Sequence, residues 1–142
     1  MAWTLLLAAG QGNRLASVTG GLAKQFLDWK GAPLYWESAL VFSRCARVEG
    51  LVFVFPEACI DEERERVAGL MRNASLGIPW KVVAGGALRQ DSVRNGLSAL
   101  PDDCMEVLIH DAARPFVSPV LVNRILDGLH GEASGECVAA CI

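Results

Sequence analysis

The chain alternates between two kinds of hydrophobic pattern, and this alternation constrains its fold more than any other feature. Short apolar runs, rich in β-branched and aromatic residues, occupy positions 3–8, 51–55, 80–83, 107–110 and 137–142. Between them lie stretches with helical spacing at 34–46, 61–73, 90–100 and 119–129. In 61–73, Val67, Leu70 and Met71 share one face opposite a row of Glu and Arg; in 90–100, Val93, Leu97 and Leu100 recur at i, i+4 and i+7. Pro33 suits a first helical turn, and Ser118 suits an N-cap. Strand, helix, strand repeated in this way calls for right-handed crossovers and a mainly parallel sheet covered on both faces. The near-continuous run Leu51-Val52-Phe53-Val54-Phe55 fits a strand buried on both sides. The expectation is a doubly wound α/β domain.

At 142 residues the chain matches one domain, 1–142, and 52% hydrophobic content supplies the material for its core. A net charge of −3 disfavours a nucleic-acid or acidic-membrane partner, so local basic residues must carry any anion chemistry. The five cysteines (Cys45, Cys59, Cys104, Cys137 and Cys141) form no C-x-x-C pair and no zinc spacing; they read as reduced, structural thiols. The apolar run at 5–9 has no preceding positive charge and breaks at Gly10, too short for a membrane span and poorly flanked for a signal peptide. A cytoplasmic, soluble protein is expected. The chain stops inside the apolar run 137–142, which suggests the front part of a longer protein.

In an open parallel sheet, ligands sit beyond the carboxyl ends of the strands, where the winding direction switches. The loop after the first strand reads Ala8-Ala9-Gly10-Gln11-Gly12-Asn13-Arg14 and continues to Lys24. Its small residues let backbone N–H groups form an anion-binding nest. Three readings compete. A dinucleotide loop fails at its third glycine, where Leu15 stands, and finds no acid about twenty residues on. A Walker loop fails for lack of Gly-Lys-Ser/Thr. A loop wrapping a nucleoside triphosphate, with Arg14 and Lys24 as its cations, survives beside the plainer alternative of a glycine-rich turn with solvated charges.

Two further loops bear on the choice. Gly85-Gly86 follows a strand and leads, through Arg89 and Ser92, into a helix whose N-terminus can face the same edge. Asp111 and Arg114 follow the fourth strand, fit either for a magnesium-bound phosphate ligand or for a structural ion pair. His110 reads as a packed strand-end histidine, and His130 as a helix-end cation without assigned function.

Together, Ala-Ala-Gly-x-Gly-x-Arg (residues 8–14), Lys-Gln-Phe-Leu (24–27), Gly-Gly-x-x-Arg-x-x-Ser-Val-x-x-Gly-Leu (85–97) and His-Asp-Ala-Ala-Arg-Pro (110–115) closely resemble the 2-C-methyl-D-erythritol 4-phosphate cytidylyltransferase family. The first motif is shared by many nucleotidyltransferases; the last two narrow the choice to the cytidylyl branch, which includes ribitol-5-phosphate cytidylyltransferases. The resemblance implies a Rossmann-like nucleotidyltransferase fold and a reaction in which CTP and methylerythritol 4-phosphate give the CDP-linked product and pyrophosphate. An already ionised phosphate attacks the α-phosphorus in line, so catalysis rests on positioning and charge neutralisation rather than on a strong base.

On that resemblance, Arg14 and Lys24 contact the triphosphate and the transition state. Ala8, Ala9, Gly10 and Gly12 cradle the phosphates, Gly86 and Ser92 contact the cytosine, Asp111 lies by the ribose and magnesium, and Arg114 lies near the substrate phosphate. Magnesium, or another divalent cation, is expected to be held mostly by phosphate oxygens and water rather than by a protein cage. A homodimer is implied, but the family's second half, with its dimerisation arm and further substrate-binding residues, is not in this chain. Other departures are Ala23 in place of the proline before the lysine, a long 15–23 connection containing Gly20-Gly21, and Ala87 in place of the acid after the glycine pair. A ribitol-phosphate enzyme, a non-catalytic CTP-binding module and an inactive fragment remain the alternatives.

Overall fold

The structure, a computed structural model, describes residues 1–10, 21–130 and 138–141. Five strands form one sheet: β1 (Ala2–Leu7), β4 (Val48–Phe55), β5 (Trp80–Ala84), β6 (Glu106–Asp111) and β7 (Val138–Cys141). Their order is β5-β4-β1-β6-β7, and every pairing is parallel. The chain winds outward from β1 through β4 to β5, then returns to the other side of β1 for β6 and β7. The switch point therefore lies between the carboxyl ends of β1 and β6, where Leu7 pairs with Asp111.

Among the described residues four helices cover this sheet: α1 (Leu34–Ser43), α2 (Ile60–Asn73), α3 (Arg89–Leu97) and α4 (Pro119–His130). Side chains alternate along each strand, so each buried strand feeds two cores. On one face, Leu6, Leu51, Phe53, Phe55 and Leu108 pack with Tyr35, Trp36, Ala39 and Phe42 of α1, Val67 of α2, and Val122 and Leu126 of α4. On the other, Trp3, Leu5, Leu7, Val52, Val54, Val107 and Ile109 meet Val93 of α3 and the following Ala99 and Leu100. Both predicted helix starts near proline are present. Pro33 directly precedes α1, and the Ser118 hydroxyl accepts the Leu121 N–H at 3.2 Å ahead of α4.

Several boundaries differ from the sequence expectation. Strand β4 begins at Val48, before its apolar run, because β1 continues to pair with it there. Helix α3 ends at Leu97 rather than 100, and α1 at Ser43 rather than 46. A two-stranded ribbon, β2 (Asp28–Trp29) with β3 (Ala32–Pro33), was not anticipated. Its turn places Lys30 at φ 53° and Gly31 at φ 84°, the left-handed pair that a two-residue hairpin needs.

One buried polar contact joins helices on the larger core. Glu63 of α2, almost wholly buried, accepts a hydrogen bond from the Tyr35 hydroxyl at 2.8 Å and pairs with Arg66 at 3.1 Å. Burial pushes the Glu63 carboxyl above its ordinary range, partly offset by the Tyr35 hydrogen bond and the Arg66 charge; burial and Glu63 together push the Tyr35 phenol up. Cys45 is buried, and Cys59 and Cys104 are half-buried. Among the described residues no helix is long and apolar enough to cross a membrane.

Candidate active site

The carboxyl ends of four strands converge at the switch point on a cavity of about 540 Å³. Its lining includes Ala9 and Gly10 after β1, Gly85, Gly86, Arg89 and Ser92 after β5, and Asp111 at the end of β6. The sheet hydrogen bonds bring these loops together. Ala8 donates its N–H to the Val54 carbonyl at 2.8 Å, Gly85 to Phe55 at 2.7 Å, and Ala112 to Leu7 at 3.0 Å, so each loop leaves from a fixed strand end.

The glycines at 85 and 86 are steric requirements. A Cβ on Gly85 would lie 2.5 Å from the Ala9 Cβ and 2.7 Å from the Ser92 Oγ; one on Gly86 would lie 2.3 Å from the Asp91 Cβ. Ser92, buried at the start of α3, accepts the Gly86 N–H at 3.1 Å and donates to the Leu88 carbonyl at 3.4 Å. Its hydroxyl thus shapes the glycine turn, leaving one lone pair uncommitted among the described residues. Asp91 closes the helix start by accepting the Leu88 N–H at 3.2 Å. Asp111 is half-buried, and its Oδ1 accepts the Ala113 N–H at 3.0 Å.

A second, smaller cleft of about 360 Å³ lies on the far side of β6, lined by Lys24, His110, Arg114, Pro115, Phe116 and Leu121 among others. Lys24 and Arg114 therefore share a cleft separate from the glycine loops. Among the described residues Asp111 and Arg114 form no ion pair, so the structural alternative for that spacing fails; the Arg114 N–H instead bonds the Asp111 carbonyl at 2.9 Å. His110 is the packed histidine expected: buried, 3.1 Å from the Ser38 hydroxyl and edge-on to Phe42.

Of the remaining sequence-derived candidates, Arg14 and Gly12 lie outside the described residues. Ala8 directly follows the end of β1, one residue before Ala9 of the cavity lining. It is buried, it does not line the cavity, its N–H belongs to the sheet, and its carbonyl is held by Gln25. Two residues escaped sequence reasoning. Gln25, 3% exposed, donates from Nε2 to the carbonyls of Ala8 at 2.9 Å and Gly10 at 2.7 Å. Glu57, in a short turn after β4, lines the larger cavity with Pro56 and Ala58. An acid was sought about twenty residues past the first loop, whereas the second sheet strand ends at Phe55; the carboxyl-end rule applied to that strand would have found it.

Among the described residues no cluster of His, Cys, Asp or Glu could cage a metal ion. The carboxylates lining the larger cavity are Glu57 and Asp111.

A family model for 2-C-methyl-D-erythritol 4-phosphate cytidylyltransferase matches residues 2–142. The bifunctional enzyme IspD/IspF of Oleidesulfovibrio alaskensis is 52% identical over 140 residues, 99% of this chain and 35% of that protein. The 2-C-methyl-D-erythritol 4-phosphate cytidylyltransferase of Clostridium botulinum is 37% identical over 120 residues, 84% of this chain and 49% of that protein. Among solved structures, the 4-diphosphocytidyl-2C-methyl-D-erythritol synthase of Anaerococcus prevotii superposes with a TM-score of 0.70 at 22% identity, over 91% of this chain and 50% of that one. The chain thus spans about a third to a half of the length of these relatives. With its motif-bearing loops gathered at one switch point and the family model matched across residues 2–142, the chain belongs to the 2-C-methyl-D-erythritol 4-phosphate cytidylyltransferase family.

Proposed function

We propose that this chain forms the CTP-binding part of a cytoplasmic enzyme that transfers a cytidylyl group to 2-C-methyl-D-erythritol 4-phosphate and releases pyrophosphate. The observation that carries this reading is the pair of clefts: a glycine-lined cavity of about 540 Å³ that includes Asp111, and a second, basic one lined by Lys24 and Arg114. The larger cavity takes CTP. Backbone groups at Ala9 and Gly10 face the phosphates, and the spare lone pair of Ser92 Oγ, the Gly86 backbone and Glu57 face the base and ribose. The smaller cleft takes the phosphate of the acceptor, with Arg114 neutralising its charge and Lys24 meeting the charge that develops at the α-phosphorus.

The acceptor phosphate is already ionised, so no side chain has to remove a proton before attack. The residues align two phosphates and offset their repulsion, which is where most of the rate of phosphoryl-type transfer arises. A divalent cation beside Asp111 would neutralise triphosphate charge and assist pyrophosphate departure. Arg14 joins Lys24 as the second cation.

The test is pyrophosphate release from CTP and a divalent cation with either methylerythritol 4-phosphate or ribitol 5-phosphate as acceptor. Turnover with the erythritol substrate is expected. Turnover only with the ribitol substrate assigns the chain to the sister activity, and CTP binding without turnover on either makes it a binding module.

A further inference from the structure

We propose that Gln25 is a positioning residue that aims the phosphate loop at the triphosphate. It lines neither cleft, and it lies buried behind the loop with both carboxamide hydrogens spent on the carbonyls of Ala8 and Gly10, at 2.9 and 2.7 Å. Two carbonyl partners fix the amide's orientation, because its own oxygen cannot face them. In a trans peptide the carbonyl and the following N–H point opposite ways. Pinning the Ala8 carbonyl onto Gln25 therefore turns the Ala9 N–H the other way, and Ala9 lines the cavity. That N–H has no acceptor among the described residues. The same contact draws carbonyl dipoles, which would repel phosphate oxygens, back into the protein.

The neighbours of Gln25 extend this effect to the second cleft. Gln25 is the middle residue of the single 3-10 turn Lys24–Phe26. Phe26 anchors the turn in the core, 6.1 Å from the rings of both Tyr35 and Phe55. Lys24, one residue before, faces the basic cleft. One carboxamide thus ties the lysine-bearing turn to the phosphate loop and sets the distance between the two clefts.

The inference rests on the transferase reading, and the experiment separates the two. Wild type, Gln25→Met and Gln25→Glu are compared by steady-state pyrophosphate release, CTP calorimetry and thermal unfolding. Gln25→Met, which keeps the volume and removes both donors, is expected to lower kcat/KM for CTP about 100-fold, the scale of an ångström-sized misplacement, with KM for the acceptor changed less than about threefold. Gln25→Glu sets a carboxylate against two carbonyl oxygens and is expected to be worse at neutral pH. Relative to wild type at the same pH, it regains CTP affinity as the pH falls and the neutral acid offers one O–H donor. Wild-type kcat/KM and CTP affinity in Gln25→Met overturn the inference. So does a Gln25→Glu variant whose affinity runs parallel to wild type across pH, or a loss that only follows the unfolded fraction. If wild type binds CTP but never releases pyrophosphate, the transferase reading falls, and the calorimetric comparison still decides the role of Gln25.

Discussion

The two clefts near the end of β6 are made of different parts. The larger is walled largely by small residues leaving strand ends, together with Glu57, Arg89 and Asp111, and Gly85 lies so close to Ala9 and Ser92 that no Cβ fits. The smaller is walled by the long side chains of Lys24 and Arg114 and by Phe116, which is 84% exposed. A backbone-walled pocket presents fixed dipoles and is rigid because the sheet holds it. A side-chain cleft presents mobile charge on long stems, adaptable to a ligand but dependent on it for final geometry. On the proposed reading, ground-state binding of the nucleotide and charge neutralisation in the reaction fall to separate walls, so each should be removable without the other.

The largest effect should come from Lys24→Ala, which strips the smaller cleft of a cation. Turnover is expected to fall by about 10²–10³ while CTP affinity by calorimetry stays near wild type. A fully active variant would erase the contrast and reduce that cleft to a binding surface. Gly85→Ala attacks the other wall. The added methyl must displace Ala9 or Ser92, so CTP affinity should drop at least about tenfold, with a stability cost of about 1–3 kcal/mol in denaturant titration, the usual size of overpacking. Unchanged CTP affinity would show that the glycine turn does not bound the nucleotide.

The smallest expected effect lies beneath the turn bearing Glu57, where α2 is fastened by Glu63 and Tyr35. The folded-state carboxyl of Glu63 is raised, so between its unfolded and folded values the native state binds the extra proton. Its contribution is fully present below the unfolded value and is lost as pH rises through the folded one. Melting temperatures across acidic to neutral pH should therefore show a decline in wild type, relative to Glu63→Gln, over that window. Parallel curves would mean that this side of the larger cavity is insensitive to pH.

The same division governs what the sequence revealed. Strands buried on both faces leave unbroken apolar runs, so 51–55 and 107–110 were readable, as were amphipathic α2 and the capped start of α4. The ribbon at Asp28–Pro33 was not, because two-residue strands generate no period and its turn uses Lys30-Gly31 rather than the stronger Asn-Gly signal. Within the site, Gly85 and Gly86 were legible because close backbone approach demands glycine whatever surrounds it. Gln25 and Glu57 were not. A glutamine's contact with carbonyls fifteen and seventeen residues earlier arises from tertiary folding alone. Nor was the local setting of Ala8 legible: it belongs to the motif's spelling, and its N–H bonds the Val54 carbonyl at the strand end.

The switch point that creates the site also sets the order in which the molecule can be completed. Strand β1 pairs on one side with β4, but on the other Ala2 must wait for Glu106. At ribosomal rates of about 5–20 residues per second, that leaves an interval of roughly 5–20 s in which β1, already synthesised, presents an unpaired edge. During that time Leu5, Leu6 and Leu7 lack their β6 partners Ile109, His110 and Asp111, and Asp111 does not yet exist to close the cavity. A nascent chain of this topology is thus most open to mispairing along the central strand, and it gains its nucleotide pocket and its protected edge in the same event.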